Sequence, residues 1–218
     1  MPRAVALVSG GLDSCVAAAV AAVDYQLCFL HLNYRQRTEE RELQAFDALA
    51  DHYRVAARLV VDVAYMRQIG GSSLVDENMP VPEDCDGAVP STYVPFRNAN
   101  ILGIGVAWAE VLGASDLFIG AHQAGAPYPD CRAEFFAAYQ RAVDLGTRPE
   151  TQIHLRTPLV DLDKAAIVRR GLELDAPLHL TWSCYQSETQ ACGRCHSCVQ
   201  RRRAFAATGA ADPAPYIE

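Results

Sequence analysis

The sequence predicts an α/β fold, a doubly wound and mostly parallel sheet carrying a small C-terminal segment stapled by cysteines. Three observations predict it. The apolar run Ala4-Val5-Ala6-Leu7-Val8 passes through the turn Ser9-Gly10-Gly11-Leu12-Asp13-Ser14 into the Ala-rich stretch 15–23. Two further apolar runs, 26–32 and 58–63, flank a stretch over 39–52 whose apolar residues recur at helical spacing. Four of the eight cysteines crowd into positions 184–198. Strands alternating with helices give a parallel sheet, and such sheets bind ligands beyond the carboxyl ends of their strands.

The first element sets the chemistry. An apolar run of this length reads as a buried parallel strand, and alanine has the highest intrinsic helix propensity. A strand entering a helix through a Gly-rich turn aims unpaired backbone N–H groups at one spot, on the positive end of the helix dipole. That spot suits a phosphate. Gly10 and Gly11 permit the tight turn and close approach of an anion. Ser9 and Ser14 add hydroxyl donors, and Asp13 is placed to hold a magnesium ion shared with the phosphates. The turn lacks the Lys-Ser/Thr ending of the P-loop and the third spaced glycine of the dinucleotide fingerprint. A strand-to-helix turn without a ligand is the alternative.

Along the chain, Leu43, Phe46, Ala50 and Tyr53 share one face of a helix over 39–52, with Glu39 and Glu40 where the dipole favours anions. Periodicity fails from Ala64 to Thr92, a stretch punctuated by Pro80, Pro82, Pro90, Gly70, Gly71 and Gly87. The acids Asp76, Glu77, Glu83, Asp84 and Asp86 lie in it. A loop of that length reads as a lid or as a plain surface excursion. A helix follows Pro95-Phe96-Arg97-Asn98 and runs through Leu112, then a strand over 116–120 and a second unusual loop over 120–132. A helix starts near Ala133, a last strand covers 153–156, and a helix beginning within 157–164 ends near Leu174. The end, 210–218, with Pro213 and Pro215, reads as a loosely held tail. The expected organisation is an α/β domain over 1–180, a cysteine segment with a terminal helix over 181–207, and a tail over 208–218.

At 218 residues and a net charge of −7, the composition argues against a general nucleic-acid binder, which carries a basic excess. No apolar run approaches the roughly 18 residues of a membrane span, and Met1-Pro2-Arg3 leads directly into the first strand. A cytoplasmic location without a membrane partner is therefore expected, and a homodimer stays open. In a cytosolic chain, clustered cysteines indicate metal ligands before disulfides. Cys184, Cys192, Cys195 and Cys198 are spaced C-x7-C-x2-C-x2-C, which suits a tetrahedral structural zinc site. An iron–sulfur cluster, a redox pair, or His196 in place of one cysteine are the alternatives. Arg194, Arg201, Arg202 and Arg203 are placed to offset the charge of four thiolates, a reading set against a nucleic-acid patch.

The Ser9 turn resembles the signature of the PP-loop ATP pyrophosphatases, of the adenine nucleotide alpha hydrolase-like fold. Those enzymes hold the pyrophosphate of ATP in this loop and transfer AMP to a substrate oxygen. Taken with Tyr34-x-Gln36-Arg37, Arg97-Asn98, Tyr128-Pro129-Asp130-Cys131-Arg132, Thr157-Pro158-Leu159 with Lys164, and the cysteine spacing, the chain resembles the 7-cyano-7-deazaguanine synthase family. The likeness extends from the first strand through Arg203. It implies an ATP-dependent ligase that converts 7-carboxy-7-deazaguanine and ammonia to the nitrile through adenylated carboxylate and amide, on the route to queuosine.

Carried onto this chain, Ser9, Gly10, Gly11, Asp13 and Ser14 bind ATP with magnesium, joined by Leu7, Val8, Leu12, Tyr34 and Arg37. Asp13, Lys164, Arg97 and Arg132 are the catalytic candidates, since cations neutralise charge on a departing phosphate. Asp130, Tyr128 and Asn98 are the substrate candidates, with Asp130 paired to the guanine-like N–H edge. The four cysteines hold zinc. Arg97 and Arg132 also read as surface charges at helix ends, and Cys131 as a packed thiol before a nucleophile. Two departures fall on the substrate side. Phe96 stands where relatives generally have glycine, and Ala124, Gly125 and Ala126 stand where acidic or hydroxylated residues are expected. The alternatives are a PP-loop tRNA-modifying, thiolase-like enzyme, a sibling attaching a deazaguanine to another amine, and a non-catalytic zinc-bearing binding module.

Overall fold

In a computed structural model, residues 1–83, 89–124 and 128–217 are described. Asp84, Cys85, Asp86 and Gly87 of the aperiodic stretch, and Gly125 and Ala126 of the second departure, lie outside the described residues.

Among the described residues, five strands form one parallel sheet in the order β3-β2-β1-β4-β5. They are β1 (Arg3–Leu7), β2 (Gln26–Asn33), β3 (Ala57–Asp62), β4 (Asp116–Ile119) and β5 (His154–Arg156). The chain builds outward from β1 in one direction and then restarts beside it with β4, so the switch point lies between those two strands. A crevice opens there at their carboxyl ends.

The helices are α1 (Leu12–Ala22), α2 (Glu39–His52), α3 (Tyr65–Ile69), α4 (Arg97–Leu112), α5 (Ala133–Gly146), α6 (Lys164–Glu173) and α7 (His196–Thr208). Alternation along β1 explains why they cover both faces. Ala4, Ala6 and Val8 pack with residues of α1, α2, α6 and α7, among them Val16, Phe46, Ile167 and Phe205. Val5 and Leu7 point the other way, into a core with Leu102 and Ala109 of α4 and Phe136 and Val143 of α5. Both cores are apolar, so the central strand is buried on both sides and reads as an unbroken hydrophobic run.

Three local expectations change. The aperiodic stretch begins with the short helix α3, and the part after it is gathered by Arg37. The Arg37 guanidinium donates to the carbonyls of Ser73 at 2.8 Å, Asp76 at 2.9 Å and Met79 at 2.7 Å. The terminal helix expected within 181–207 starts only at His196 and runs through Thr208, one residue into the expected tail. The tail is tied down: Ala191 bridges to Tyr216, and Asp212 pairs with Arg201, which is 2% exposed. A buried guanidinium needs a carboxylate, and the tail supplies it. Arg201 therefore answers Asp212 rather than the thiolates.

Candidate active site

The turn after β1 is shaped by two glycines. Gly10 has φ +84°, and a Cβ there would lie 2.5 Å from the Glu42 carbonyl oxygen. Only glycine meets both demands. Gly120, at the exit of β4, lets its backbone rest on the first turn of α1, since a Cβ would come within 2.6 Å of the Asp13 carbonyl oxygen. Strand ends β1 and β4 are thereby held against one helix N-terminus. Within the turn the Gly11 N–H donates to Ser9 Oγ at 3.2 Å, the Ser9 N–H donates to Ser14 Oγ at 3.2 Å, and Ser14 Oγ donates to the Gly11 carbonyl at 2.9 Å. The two hydroxyls stand 3.3 Å apart. A loop with two hydroxyls, together with the early N–H groups of α1, fits an anionic phosphate chain by its donor chemistry.

Asp13 faces Lys164 across the crevice. Asp163 caps α6 by accepting the Ala166 N–H at 2.7 Å, which places Lys164 at the first helical position. A cation there opposes the helix dipole, and Asp13 compensates. Lys164 Nζ lies 2.7 Å from Asp13 Oδ1 and 2.6 Å from Oδ2. Burial pushes the Asp13 carboxyl up, but Lys164 and then His122 outweigh it, so the group stays below the ordinary carboxylate range. His122 Nε2 stands 3.7 Å from Asp13 Oδ2. Its Nδ1 meets the Ala124 carbonyl at 3.0 Å, so Nδ1 carries the proton and Nε2 faces Asp13. Burial lowers the His122 pKa. An ionised carboxylate, a lysine and an imidazole thus converge at the Ser9 turn.

These groups line one side of a cavity of about 250 Å³. Leu7, Val8, Ser9, Gly11, Leu12, Asp13, Ser14 and Lys164 all reach it. Tyr34, Arg97, Asn98 and Tyr128 form the other side. Arg97 Nη1 donates to the Tyr34 hydroxyl at 3.1 Å, and the Tyr128 hydroxyl lies 2.7 Å from Thr92 Oγ1. Phe96, just before α4, has φ +55°, the left-handed region that favours glycine. The side chain is 58% exposed and packs edge-on against Phe135, with ring centroids 6.1 Å apart.

Three candidates stand away from this cavity. Arg37 spends its guanidinium on the carbonyls named above. Asp130 is buried, its carboxylate accepts the Asn98 N–H at 2.9 Å, and its carbonyl accepts from Asn98 Nδ2 at 2.9 Å. It caps α4. Arg132 is exposed and donates through Nε to the Pro129 carbonyl at 3.1 Å. Cys131 reaches the cavity wall and receives Asn98 Nδ2 at 3.2 Å. Burial, followed by the Asp130 charge, pushes its thiol up to about 11, which suits a packed thiol. Conversely, Glu42, His122, Trp182 and Tyr185 line the cavity without having been singled out by sequence. His122 sits in the loop that ends β4, where a switch-point residue was to be sought. Glu42 reads in sequence as one more acid in the first turn of a solvated helix, and carries no signal.

The sulfurs of Cys184, Cys192, Cys195 and Cys198 all lie within 4.8 Å of one another. A tetrahedral ion with roughly 2.3 Å bonds to sulfur requires such spacing, so the donor set fits a four-thiolate metal site. Backbone N–H groups support it: Cys192 N donates to Cys184 Sγ at 3.4 Å and Cys195 N to Cys192 Sγ at 3.3 Å. The segment also reaches the Ser9 turn, since the Trp182 N–H donates to the Gly10 carbonyl at 2.9 Å. The Arg41 guanidinium lies 4.6 Å from the Trp182 ring centre.

Comparison with known proteins bears on both regions. The sequence model of the family described as queuosine biosynthesis protein QueC matches residues 3–209. The chain is 51% identical to a 7-cyano-7-deazaguanine synthase of Chlorobaculum parvum, over 98% of this chain and 96% of the relative. It is 52% identical to one of Chlorobium phaeobacteroides, with the same coverage. A solved structure from Methanocaldococcus jannaschii, titled as a predicted subunit of tRNA methyltransferase, shares the fold. It has a TM-score of 0.51 at 13% identity over 97% of this chain and 91% of its own.

Proposed function

The chain belongs to the family of queuosine biosynthesis protein QueC, and we propose that it converts 7-carboxy-7-deazaguanine and ammonia to 7-cyano-7-deazaguanine at the cost of two ATP. The observation that carries this reading is the placing of the Ser9 loop, the Asp13–Lys164 pair and the Arg97–Tyr34 wall around one cavity at the switch point of the sheet.

A carboxylate oxygen is a poor leaving group, so it first attacks the α-phosphorus of ATP and releases pyrophosphate. The donors of the Ser9 turn hold the β- and γ-phosphates, and Lys164 offsets the charge that builds on the departing pyrophosphate. Ammonia then displaces AMP to give the amide. A second adenylation falls on the amide oxygen, and loss of AMP with two protons leaves the nitrile. Neutral His122 is placed beside Asp13 to take a proton as nitrogen loses them. Arg97, within the tyrosine-lined wall, holds the anionic carboxylate near the loop. Asp13 would hold magnesium, which supplies further neutralisation of the phosphates. The four cysteines would hold a structural zinc, and thiolates of that kind suit a reducing, cytoplasmic setting.

A thiolase-like reading needs a reactive cysteine. Cys131 at the cavity is buried with its thiol raised to about 11, which leaves it unreactive near neutral pH. The test is incubation of the metal-loaded protein with ATP, magnesium, ammonium and 7-carboxy-7-deazaguanine, followed by mass spectrometry. Nitrile with two AMP per molecule supports the proposal. An amide end-product, or AMP release only with another acceptor, would overturn it.

A further inference from the structure

Asp13 and Glu42 are the carboxylates that line the cavity among the described residues. Asp13 is engaged by Lys164. Glu42 is in no ion pair among the described residues. It is nevertheless fixed in place: Thr38 Oγ1 donates to one carboxylate oxygen at 2.9 Å and Gln36 Nε2 to the other at 2.9 Å. Gln36 is itself oriented, because its Oε1 accepts the Tyr34 N–H at 3.0 Å. Each oxygen of a carboxylate accepts two hydrogen bonds, so both oxygens of Glu42 keep one acceptor position. A held, part-buried carboxylate with no direct ion-pair partner is costly, and the Arg97 charge acts on it only across the cavity. Burial pushes Glu42 up to about 7, against the pull of its Thr38 and Gln36 hydrogen bonds.

The surroundings say what would satisfy it. Tyr34, Tyr128 and Tyr185 line the same cavity with aromatic surface, while Arg97 supplies a cation, 5.8 Å from the Tyr34 ring centre. A 7-deazaguanine ring has matching chemistry. Its N1–H and 2-amino groups point the same way as a pair of donors, and the acidic substituent at position 7 lies on the far side of the ring. Adenine has a donor next to an acceptor, which a carboxylate cannot pair twice. Asp130, the carboxylate that sequence alone offers for this edge, is committed to the start of α4.

We infer that Glu42 is the specificity-determining residue of the substrate pocket, accepting both the N1–H and the 2-amino hydrogen of the deazaguanine ring while the 7-carboxylate is turned toward Arg97 and Lys164. The inference rests on the proposed reaction and adds the recognition of its substrate.

Calorimetric binding of 7-carboxy-7-deazaguanine and of its analogue lacking the 2-amino group, to wild type, E42Q and E42D, tests it. Wild type is expected to prefer the amino compound by at least about tenfold. E42Q weakens that compound by roughly 10- to 100-fold, leaves the analogue little changed, and keeps ATP affinity within about twofold. E42D, a shortened carboxylate, falls between the two and provides the readout if E42Q does not fold. Preference retained in both variants, equal loss for both ligands, or loss confined to ATP each overturns the inference. Wild type that binds with the expected preference but makes no nitrile refutes the reaction and leaves Glu42 standing. Wild type that binds neither ligand overturns both.

Discussion

Replacing Arg201 by alanine removes the clamp between α7, the 178–183 segment and the tail. The side chain is 2% exposed, and Nε lies 3.0 and 3.2 Å from the two oxygens of Asp212. Nη1 donates to Thr181 Oγ1 at 2.7 Å and Nη2 to the Leu178 carbonyl at 3.3 Å. Breaking a buried ion pair from one side costs about 3–5 kcal/mol, because the remaining charge is stranded. Asp212 keeps the Tyr216 hydroxyl at 2.6 Å and the Ala214 N–H at 3.0 Å, which places the expected loss near the lower bound, about 3 kcal/mol. For a chain of this size that is a fall of roughly 6–12 °C in Tm. Urea unfolding and thermal melts of metal-loaded protein measure it. R201A/D212N, which removes the stranded charge, should recover about 1–2 kcal/mol. Because Thr181 and Ser183 flank Trp182, which bonds Gly10, the single variant should also raise the KM for ATP. A loss under about 1 kcal/mol, or a double variant no more stable than the single, would refute the reasoning.

Gly10→Ala forces a Cβ against the Glu42 carbonyl at a positive φ, with an expected cost of about 1–3 kcal/mol and a fall in ATP turnover of more than about tenfold; unaltered AMP release would contradict it. Cys192→Ser should lose bound zinc and lower the melting temperature more than it changes ATP affinity, because metal binding and folding are one equilibrium at such a site; full zinc content with an unchanged melt speaks against this. The Glu42 carboxyl, raised from 4.5 to about 7, binds its proton more tightly in the folded state. Its stabilising contribution is complete below about 4.5 and is lost as pH rises through about 7. The ligand-free melting temperature of wild type should therefore decline over that window relative to E42Q, and parallel curves would contradict the assignment.

What could be read from the chain and what could not follows from how far each contact reaches. The Ser9 turn, the α2 bounds at Glu39 and His52, and the cysteine spacing are local patterns, written in periodicity and in residues that permit one backbone shape. Lys164 meets Asp13 across 151 positions, and only the closed sheet brings the two together. Arg37, Asp130 and Arg132 have the chemistry of ligand-binding residues, yet nearby carbonyls and a helix N-terminus occupy them. Loop paths that no local pattern specifies decide those partners. In the sequence Arg201 reads, with Arg194, Arg202 and Arg203, as a cation offsetting the thiolates, because the tail that brings Asp212 has no periodicity of its own. Phe96 shows the reverse case. A departure noted in the chain falls on a left-handed backbone position, where the cost of a side chain has a physical meaning.

The most direct test of the central claim, that the Ser9 loop directs ATP to adenylate an oxygen of the substrate, is to follow the oxygens of 7-carboxy-7-deazaguanine labelled with oxygen-18 in both carboxylate positions. Each adenylation joins one such oxygen to the α-phosphorus, and each departure carries it away in AMP. The account predicts one labelled oxygen in each of the two AMP molecules formed per nitrile, and none in pyrophosphate. Label released in inorganic phosphate with ADP, or AMP without label, would contradict it.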